Sequence, residues 1–313
     1  MKKLRTFLGL SIVVIAAVLA TTYWLHDIES QTLNNATRDA LGVQYATLEH
    51  GATAYQIANQ TAEKTIVFVH GFSVPSYVWD PTFDYFAQQG YRTLRFDLYG
   101  RGFSDRPELD YQIDFFVSQL DQLLTYLKIE QPIHLVGLSM GGPVVTRFTH
   151  RFYERVASLS LLAPLVHTPE DPAIKLLATP LLGDYLATTL MMPRILNSLS
   201  TSVYNPASFP DWHEKMARHS HYKGYRRALL STLQTLNGRN FMEDYQALGQ
   251  TTVPVQLAWG KNDQVLPFAE HKKVLEAVER VEFLALDQCG HLPQLEHPDI
   301  INRWLRDFTQ NRP

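Results

Sequence analysis

The sequence predicts an α/β architecture: a mainly parallel, doubly wound sheet with an inserted helical cap, preceded by one amino-terminal transmembrane helix. Three observations predict it. Short apolar, β-branched runs alternate with helix-length segments over residues 43–165 and again over 251–313, as parallel strands joined by crossover helices do. Between them, residues 166–250 hold no strand pattern, only stretches such as IKLLATPLLGDYLATTLMM and YRRALLSTLQTL that fit helices. Ahead of both, Phe7 to Leu25 carries no charge, close to the roughly 20 residues one helix needs to cross hydrocarbon. The chain divides accordingly into a membrane segment (1–26), a linker (27–42), a first core part (43–165), the cap (166–250) and a second core part (251–313).

The elements follow in order. Lys2, Lys3 and Arg5 precede the apolar run, and Tyr23 and Trp24 close it with rings suited to the membrane–water boundary. A basic amino end stays in the cytoplasm, which puts the chain from about residue 26 on the extracytoplasmic side. The competing reading is a cleaved signal peptide, with Val18 and Ala20 at its small-residue site and a secreted or periplasmic product. The run exceeds the roughly 15 residues of a signal core, which favours the anchor. DIESQTLNNATRDAL (27–41) is polar and reads as a linker or short helix. VQYATLEHGATAYQIA turns back on itself at His50-Gly51 as a hairpin. TIVFVHGF (65–72) is an apolar run ended by Gly71, as expected of a strand buried on both faces. Then come a helix near 77–89, the strand YRTLRFDL (91–98), a helix over 111–129, the strand IHLVGLS (133–139), a helix over 140–152 and the strand VASLSLLAP (156–164). After the cap, VPVQLAWG (253–260) and VEFLALD (281–287) are strands, with helices near 267–280 and 298–310.

Composition narrows the function. At 313 residues and a net charge of −3, with no basic stripe or low-complexity tract, the chain is neither disordered nor a nucleic-acid binder. Cys289 is its one cysteine, so an intrachain disulfide and a cysteine metal site are both excluded. It reads as a small buried filler.

The chemistry gathers around HLVGLSMGGPVV (134–145). A serine hydroxyl is a poor nucleophile until a base takes its proton. It must also stand clear of the sheet, and a sharp strand-to-helix turn achieves that by straining the backbone at the serine. Gly137 and Gly141 flank Ser139 because side chains there would collide in so tight a turn. The helix that follows aims its first N–H groups at the reaction, so the Met140 amide is a candidate oxyanion donor. The base candidate is His291, just past the last strand; His297, six residues on beside a proline, reads as a surface residue. The acid candidate is Asp263, on the loop after the penultimate strand, where it would fix the imidazole tautomer. Glu170 and Asp171, the nearest carboxylates after the preceding strand, lie farther out. A second oxyanion donor is expected from the Phe72 amide, with His70 bracing that loop.

With these residues assembled, the chain resembles the α/β-hydrolase family over about residues 43–310. HGF (70–72), FDLYGRGFSDRP (96–107), GLSMGG (137–142), WGKNDQVLP (259–267) and GHLPQLEHP (290–298) carry the resemblance. It implies Ser139 as nucleophile, Asp263 as acid, His291 as base, and the Phe72 and Met140 amides as oxyanion hole. It also implies that Asp97 and Arg101 stabilise loops. Ser139 argues against the aspartate-nucleophile branch of epoxide hydrolases and haloalkane dehalogenases. An amino-terminal anchor with a helical cap looks most similar to membrane-bound monoacylglycerol lipases.

The expected activity is serine hydrolysis of carboxylic esters, lipid acyl esters among them, with no metal or organic cofactor. The expected partners are a small-molecule or lipid ester and a membrane, not nucleic acid. Hydrolysis of carbon–carbon bonds in ring-cleavage products is the alternative activity, and a hydrolase fold kept as a binding module is the non-enzymatic one. Leu190, Met191, Met192 and Ile195 in the cap serve either an acyl pocket or cap-to-core packing.

Overall fold

A computed structural model describes residues 2–310 and 312, with side chains from Phe7 onward. The side chains of Lys2, Lys3 and Arg5, on which the expected membrane orientation rests, lie outside the described residues. Helix α1 (Lys2–His26) is followed by α2 (Asn35–Ala40), which Asn34 caps by accepting from the Thr37 amide. The hairpin forms as expected: β1 (Tyr45–Leu48) pairs antiparallel with β2 (Gly51–Ala58). Gly51, at φ +125°, supplies the positive φ of the turn.

The core then alternates as the pattern requires: β3 (Thr65–Val69), α3 (Asp80–Gln88), β4 (Arg92–Phe96), α4 (Ile113–Tyr126), β5 (Ile133–Leu138), α5 (Gly141–Arg151) and β6 (Val156–Leu162). The cap interval holds α6 (Pro172–Leu177), α7 (Leu182–Leu186), a π-helical segment (Ala187–Met191), α8 (Met192–Leu196), α9 (Leu199–Ser202), α10 (Trp212–Ser220), α11 (Tyr225–Leu236) and α12 (Met242–Gly249). The chain ends with β7 (Val255–Gly260), α13 (His271–Ala277), β8 (Val281–Leu286), α14 (Pro293–Glu296) and α15 (Pro298–Gln310).

The strands form one eight-stranded sheet in the order β1-β2-β4-β3-β5-β6-β7-β8. All pairings from β4 to β8 are parallel, and only β1 and β2 run against their neighbours. In β3 the side chains alternate between two cores. Val67 and Val69 pack with Phe116, Leu120 and Val144 on one face, while Ile66 and Phe68 pack with Trp79, Phe86 and Leu305 on the other. Helices on both faces explain why β3 and β5 are buried along their whole length.

Two contacts tie the cap and linker intervals to the core. Helix α12 lies inside the interval assigned to the cap, yet it packs on the core: Asp244 makes a two-point ion pair with Arg147 of α5 at 2.9 and 2.7 Å, and the buried Tyr245 hydroxyl donates to the Leu165 carbonyl. The short helix allowed for in residues 27–41 forms as α2 and docks on the core. Arg38 of α2 is buried, its guanidinium paired with Asp105 and donating to the Phe103 carbonyl at 2.7 Å.

Candidate active site

Parallel strands deliver their loops to one edge of the sheet, where open α/β folds place their sites. Ser139 stands there between β5 and α5 with φ +54°, a backbone conformation that costs a non-glycine residue roughly 1–3 kcal/mol. Surrounding bonds hold it: the Ser139 N–H donates to the Leu162 carbonyl at 3.0 Å, and the Ser139 carbonyl accepts from Gly142 and Leu165. The flanking glycines are required by contact. A Cβ on Gly137 would lie 2.5 Å from Val145 and 2.7 Å from the Gly141 carbonyl oxygen, and one on Gly141 would lie 2.6 Å from the Val69 carbonyl oxygen.

Asp263 and His291 meet across the loops that follow β7 and β8. The Asp263 carboxylate is fully buried and uses both oxygens: Oδ1 accepts from the Val265 and Leu266 amides at 2.8 Å each, and Oδ2 takes the Nδ1 of His291 at 2.8 Å. That bond puts the proton on Nδ1 and leaves Nε2 as the basic nitrogen. Neither the Ser139 hydroxyl nor His291 Nε2 makes a hydrogen bond among the described residues. Both residues instead wall one cavity of about 260 Å³, together with Gly71, Phe72, Arg194 and Ile195.

The Phe72 loop reaches Ser139 because Gly71 has no side chain; a Cβ there would lie 3.0 Å from Ser139 Cβ. Among the described residues the Phe72 and Met140 N–H groups donate to no protein acceptor. Two buried residues brace the loop. His70 donates from Nδ1 to the Gly71 carbonyl and accepts the Leu98 N–H on Nε2, each at 2.9 Å, and burial pushes its pKa down to about 4. Arg101 donates to the Phe72 carbonyl at 2.8 Å and to Thr232 of α11 at 2.8 Å; burial brings its pKa down to about 10. Asp97 accepts from the Ser76 and Phe103 amides, so it fixes the neighbouring turn and stays off the cavity.

The structure therefore brings Ser139, His291 and Phe72 to one cavity, sets Asp263 behind the imidazole, and buries the Met140 side chain beneath the turn. The four cap residues split. Ile195 lines the cavity, Met191 and Met192 pack with Tyr225 and Leu229, and Leu190 points outward, half-exposed. Cys289 is buried, its thiol pushed well above its ordinary range by that burial.

Two further residues escape a sequence reading. Glu296 accepts the Gly290 N–H from both oxygens, the Leu292 N–H and the Tyr204 N–H, clamping the histidine loop to the cap. Its only signal was its place inside GHLPQLEHP. Arg194 lines the cavity and is exposed, with no carboxylate partner among the described residues, and helical periodicity does not flag such a position.

Comparison with known proteins matches residues 66–304 to the model of the alpha/beta hydrolase family. The chain is 27% identical over 296 residues to a 2-hydroxy-6-oxononadienedioate/2-hydroxy-6-oxononatrienedioate hydrolase of Paraburkholderia phymatum, covering 86% of this chain and 96% of that one. It is 25% identical over 285 residues to the monoacylglycerol lipase ABHD6 of Mus musculus, covering 87% and 84%. Among solved structures, the enol-lactonase of Burkholderia xenovorans superposes with a TM-score of 0.74 at 18% identity, over 85% of this chain and all of that one.

Proposed function

This chain belongs to the alpha/beta hydrolase family, and within it we propose a serine hydrolase that cleaves carboxylic esters, acyl esters of lipids foremost. The observation that carries the reading is the buried Asp263–His291 pair facing the strained Ser139 across one cavity, with two unpaired amides beside it. In this mechanism His291 Nε2 takes the Ser139 proton, which requires the two atoms to come within about 2.6–3.2 Å. Ser139 Oγ attacks the ester carbonyl, and the Phe72 and Met140 N–H groups receive the oxyanion. Asp263 stabilises the imidazolium. The imidazolium returns its proton to the leaving alkoxide as the carbon–oxygen bond breaks, leaving acyl-Ser139. Water, deprotonated by His291, then releases the acid and restores the serine.

A lipid ester is supported by the apolar Phe72 and Ile195 walls, by the relative named a monoacylglycerol lipase, and by α1. That helix presents Phe7–His26 as 20 residues long and apolar enough to span a membrane, and it meets the rest of the chain through its last turn, at Tyr23. We take α1 as an anchor that holds the catalytic domain on the extracytoplasmic side. A second reading, carbon–carbon hydrolysis of a dienoate, is favoured by the relative so named and by Arg194, whose free guanidinium suits a carboxylate-bearing substrate.

The full chain in detergent, assayed on p-nitrophenyl esters of increasing length, a monoacylglycerol and a 2-hydroxy-6-oxo-dienoate, separates the two. Turnover of the esters, lost in Ser139→Ala, supports the first. Turnover of the dienoate alone, lost in Arg194→Ala, replaces it with the second.

A further inference from the structure

An anchor that only tethered the enzyme would end in free chain, but α1 ends in bonds to the cap. Arg226, at the start of α11, sits in the centre of that junction, its side chain mostly buried. It pairs with Asp27 at 2.8 Å and Asp184 at 3.1 Å and donates to the Tyr23 hydroxyl at 3.0 Å, while its guanidinium lies over the Tyr23 ring. The Tyr23 hydroxyl in turn donates to Asp184 at 2.7 Å, and its ring stacks on Tyr185. One turn farther on, Glu29 accepts the Gly224 and Arg226 amides at the amino end of α11. Gln31 bridges to Tyr222. Between these polar contacts Ile28 packs into the cap cluster of Ala187, Met191 and Met192, to which Phe72 and Ile195 of the cavity wall also belong. The last turn of α1 is thus a structural part of the cap.

The same cap helices carry apolar side chains that nothing covers. Leu181 is 90% exposed and sits at φ +63°, so a strained backbone presents it to the outside. Leu176, Leu182 and Leu190 of the same cap segment are exposed as well, and Trp24 and Leu25 are exposed on α1 itself. Leu182 begins the helix that contributes Asp184 and Tyr185 to the junction, within about 5 Å of axial rise. Wherever Tyr23 and Trp24 meet the membrane boundary, these leucines are brought there too.

We propose that the leucine edge of the cap, Leu176, Leu181, Leu182 and Leu190, dips into the lipid headgroup–acyl boundary of the membrane that α1 enters, held in place by the Arg226 junction. Apolar faces of interfacial helices sink about 5–10 Å into that boundary. Substrate is then a lipid ester presented by that leaflet, to a cavity whose wall shares its packing with the anchor. The proposal rests on the reading of α1 as a membrane span, and the test keeps the two separable.

Cys289 is the sole cysteine and is buried, so a cysteine introduced at the surface is the one accessible thiol. Full chains carrying Leu181→Cys, Leu190→Cys, Trp24→Cys or Tyr153→Cys are labelled with an environment-sensitive fluorophore and reconstituted in phosphatidylcholine vesicles with or without nitroxide-bearing lipid. Tyr153, exposed just ahead of β6, serves as the control on the opposite edge of the sheet. Labels at 181, 190 and 24 are expected to shift to the blue and lose most of their intensity to the nitroxide, and the label at 153 to lose none. Adding Arg226→Ala should release the label at 181 from quenching and leave that at 24 quenched. If 24 is quenched while 181 and 190 behave as 153 does, the lipid edge is overturned and the span stands. If 24 is also unquenched and alkaline washing strips the chain from the vesicles, the span reading has failed and the lipid edge with it. Cross-linking of two chains through position 181 without quenching would assign the edge to a second copy instead. Quenching at 181 that survives Arg226→Ala would overturn the junction's role.

Discussion

Gly71 brings the Phe72 amide to Ser139 by having nothing between them. A methyl group there would lie 3.0 Å from Ser139 Cβ and 3.4 Å from Oγ, so the loop must withdraw by a few tenths of an ångström or the serine must turn. Misplacement on the scale of 1 Å costs about 100-fold in rate. Gly71→Ala is accordingly expected to lower kcat on a p-nitrophenyl ester by about 10–100-fold with KM little changed and the thermal midpoint nearly kept; steady-state kinetics alongside a melting curve checks it. Asp263→Asn acts through the imidazole. Oδ1 accepts two amides, so an asparagine places its carbonyl there and turns its NH₂ toward His291 Nδ1. That forces the proton onto Nε2, the wrong nitrogen, and kcat should fall about 10⁴-fold, while a fluorophosphonate still labels Ser139 slowly. Ser139→Ala should abolish labelling altogether. These positions were legible in the sequence because each sits within a few residues of a strand end, where loop chemistry and strand pattern can be read together. Glu296 and Arg194 were not: Glu296 joins Gly290 and Leu292 of its own segment to the Tyr204 amide far away in the chain, Arg194 lines a cavity built from distant loops, and no local period reports such partners.

At the scale of elements, period and burial decide what could be read. β3, β5, β6 and β7 announced themselves as short, mostly apolar runs because helices cover both faces, whereas β4 carries Arg92 and Arg95 and the edge strand β8 is only half-buried; α15 was legible to the residue because Pro298 opens it and its apolar stripe is uninterrupted. The region from α6 to α9 was not, since Pro172, Pro180 and Gly183 break up the apolar stretch, and α7 then runs through a π-helical segment straight into α8, a period no sequence pattern reports. A Cβ on Gly183 would lie 2.0 Å from the Leu177 carbonyl oxygen, so the turn before α7 depends on that glycine. The element that couples this cap to the chemistry is α14, one turn long. Its Glu296 holds Gly290 and Leu292 on either side of His291 and Tyr204 after α9, while the His291 N–H itself donates to the Ser202 carbonyl at 2.8 Å. Hydrogen bonds to a charged group contribute about 1.5–3 kcal/mol. Glu296→Ala should therefore destabilise the protein by about 2–3 kcal/mol in urea denaturation and lower kcat, as His291 loses its register over Ser139. Glu296→Gln keeps a carbonyl acceptor for one amide and should fall between the two. An alanine variant as active and as stable as the parent would remove α14 from any role at the site.

Across the whole molecule, three histidines are folded in neutral. Burial pushes His70, His134 and His219 each down to about 4 from 6.5. His70 braces the Phe72 loop, His134 lies near the start of β5 bonded to Ser158, and His219 sits on the cap helix α10 between Tyr77 and Phe103. Between pH 6.5 and 4 the unfolded chain binds protons at these sites that the folded chain refuses, so stability rises with pH across that window and is lost as pH falls through it. Each such proton changes the unfolding free energy by about 1.4 kcal/mol per pH unit. All three act in the same direction, so acid lowers a total stability that for folded proteins is only about 5–15 kcal/mol. The urea midpoint should thus be flat from pH 7 to 8 and fall steeply below 6.5, with an uptake of roughly three protons on unfolding near pH 5. His134→Gln, which keeps a hydrogen bond to Ser158 and lies away from the cavity, should remove about one of the three; an unchanged slope would show that the buried imidazoles do not set the acid limit. His70 ties this limit to function. Its Nε2 can accept the Leu98 amide only while unprotonated, so the proton that destabilises the fold also breaks the brace behind the Phe72 loop. Ester turnover and global stability should therefore fail together as the pH drops, whatever the acyl chain.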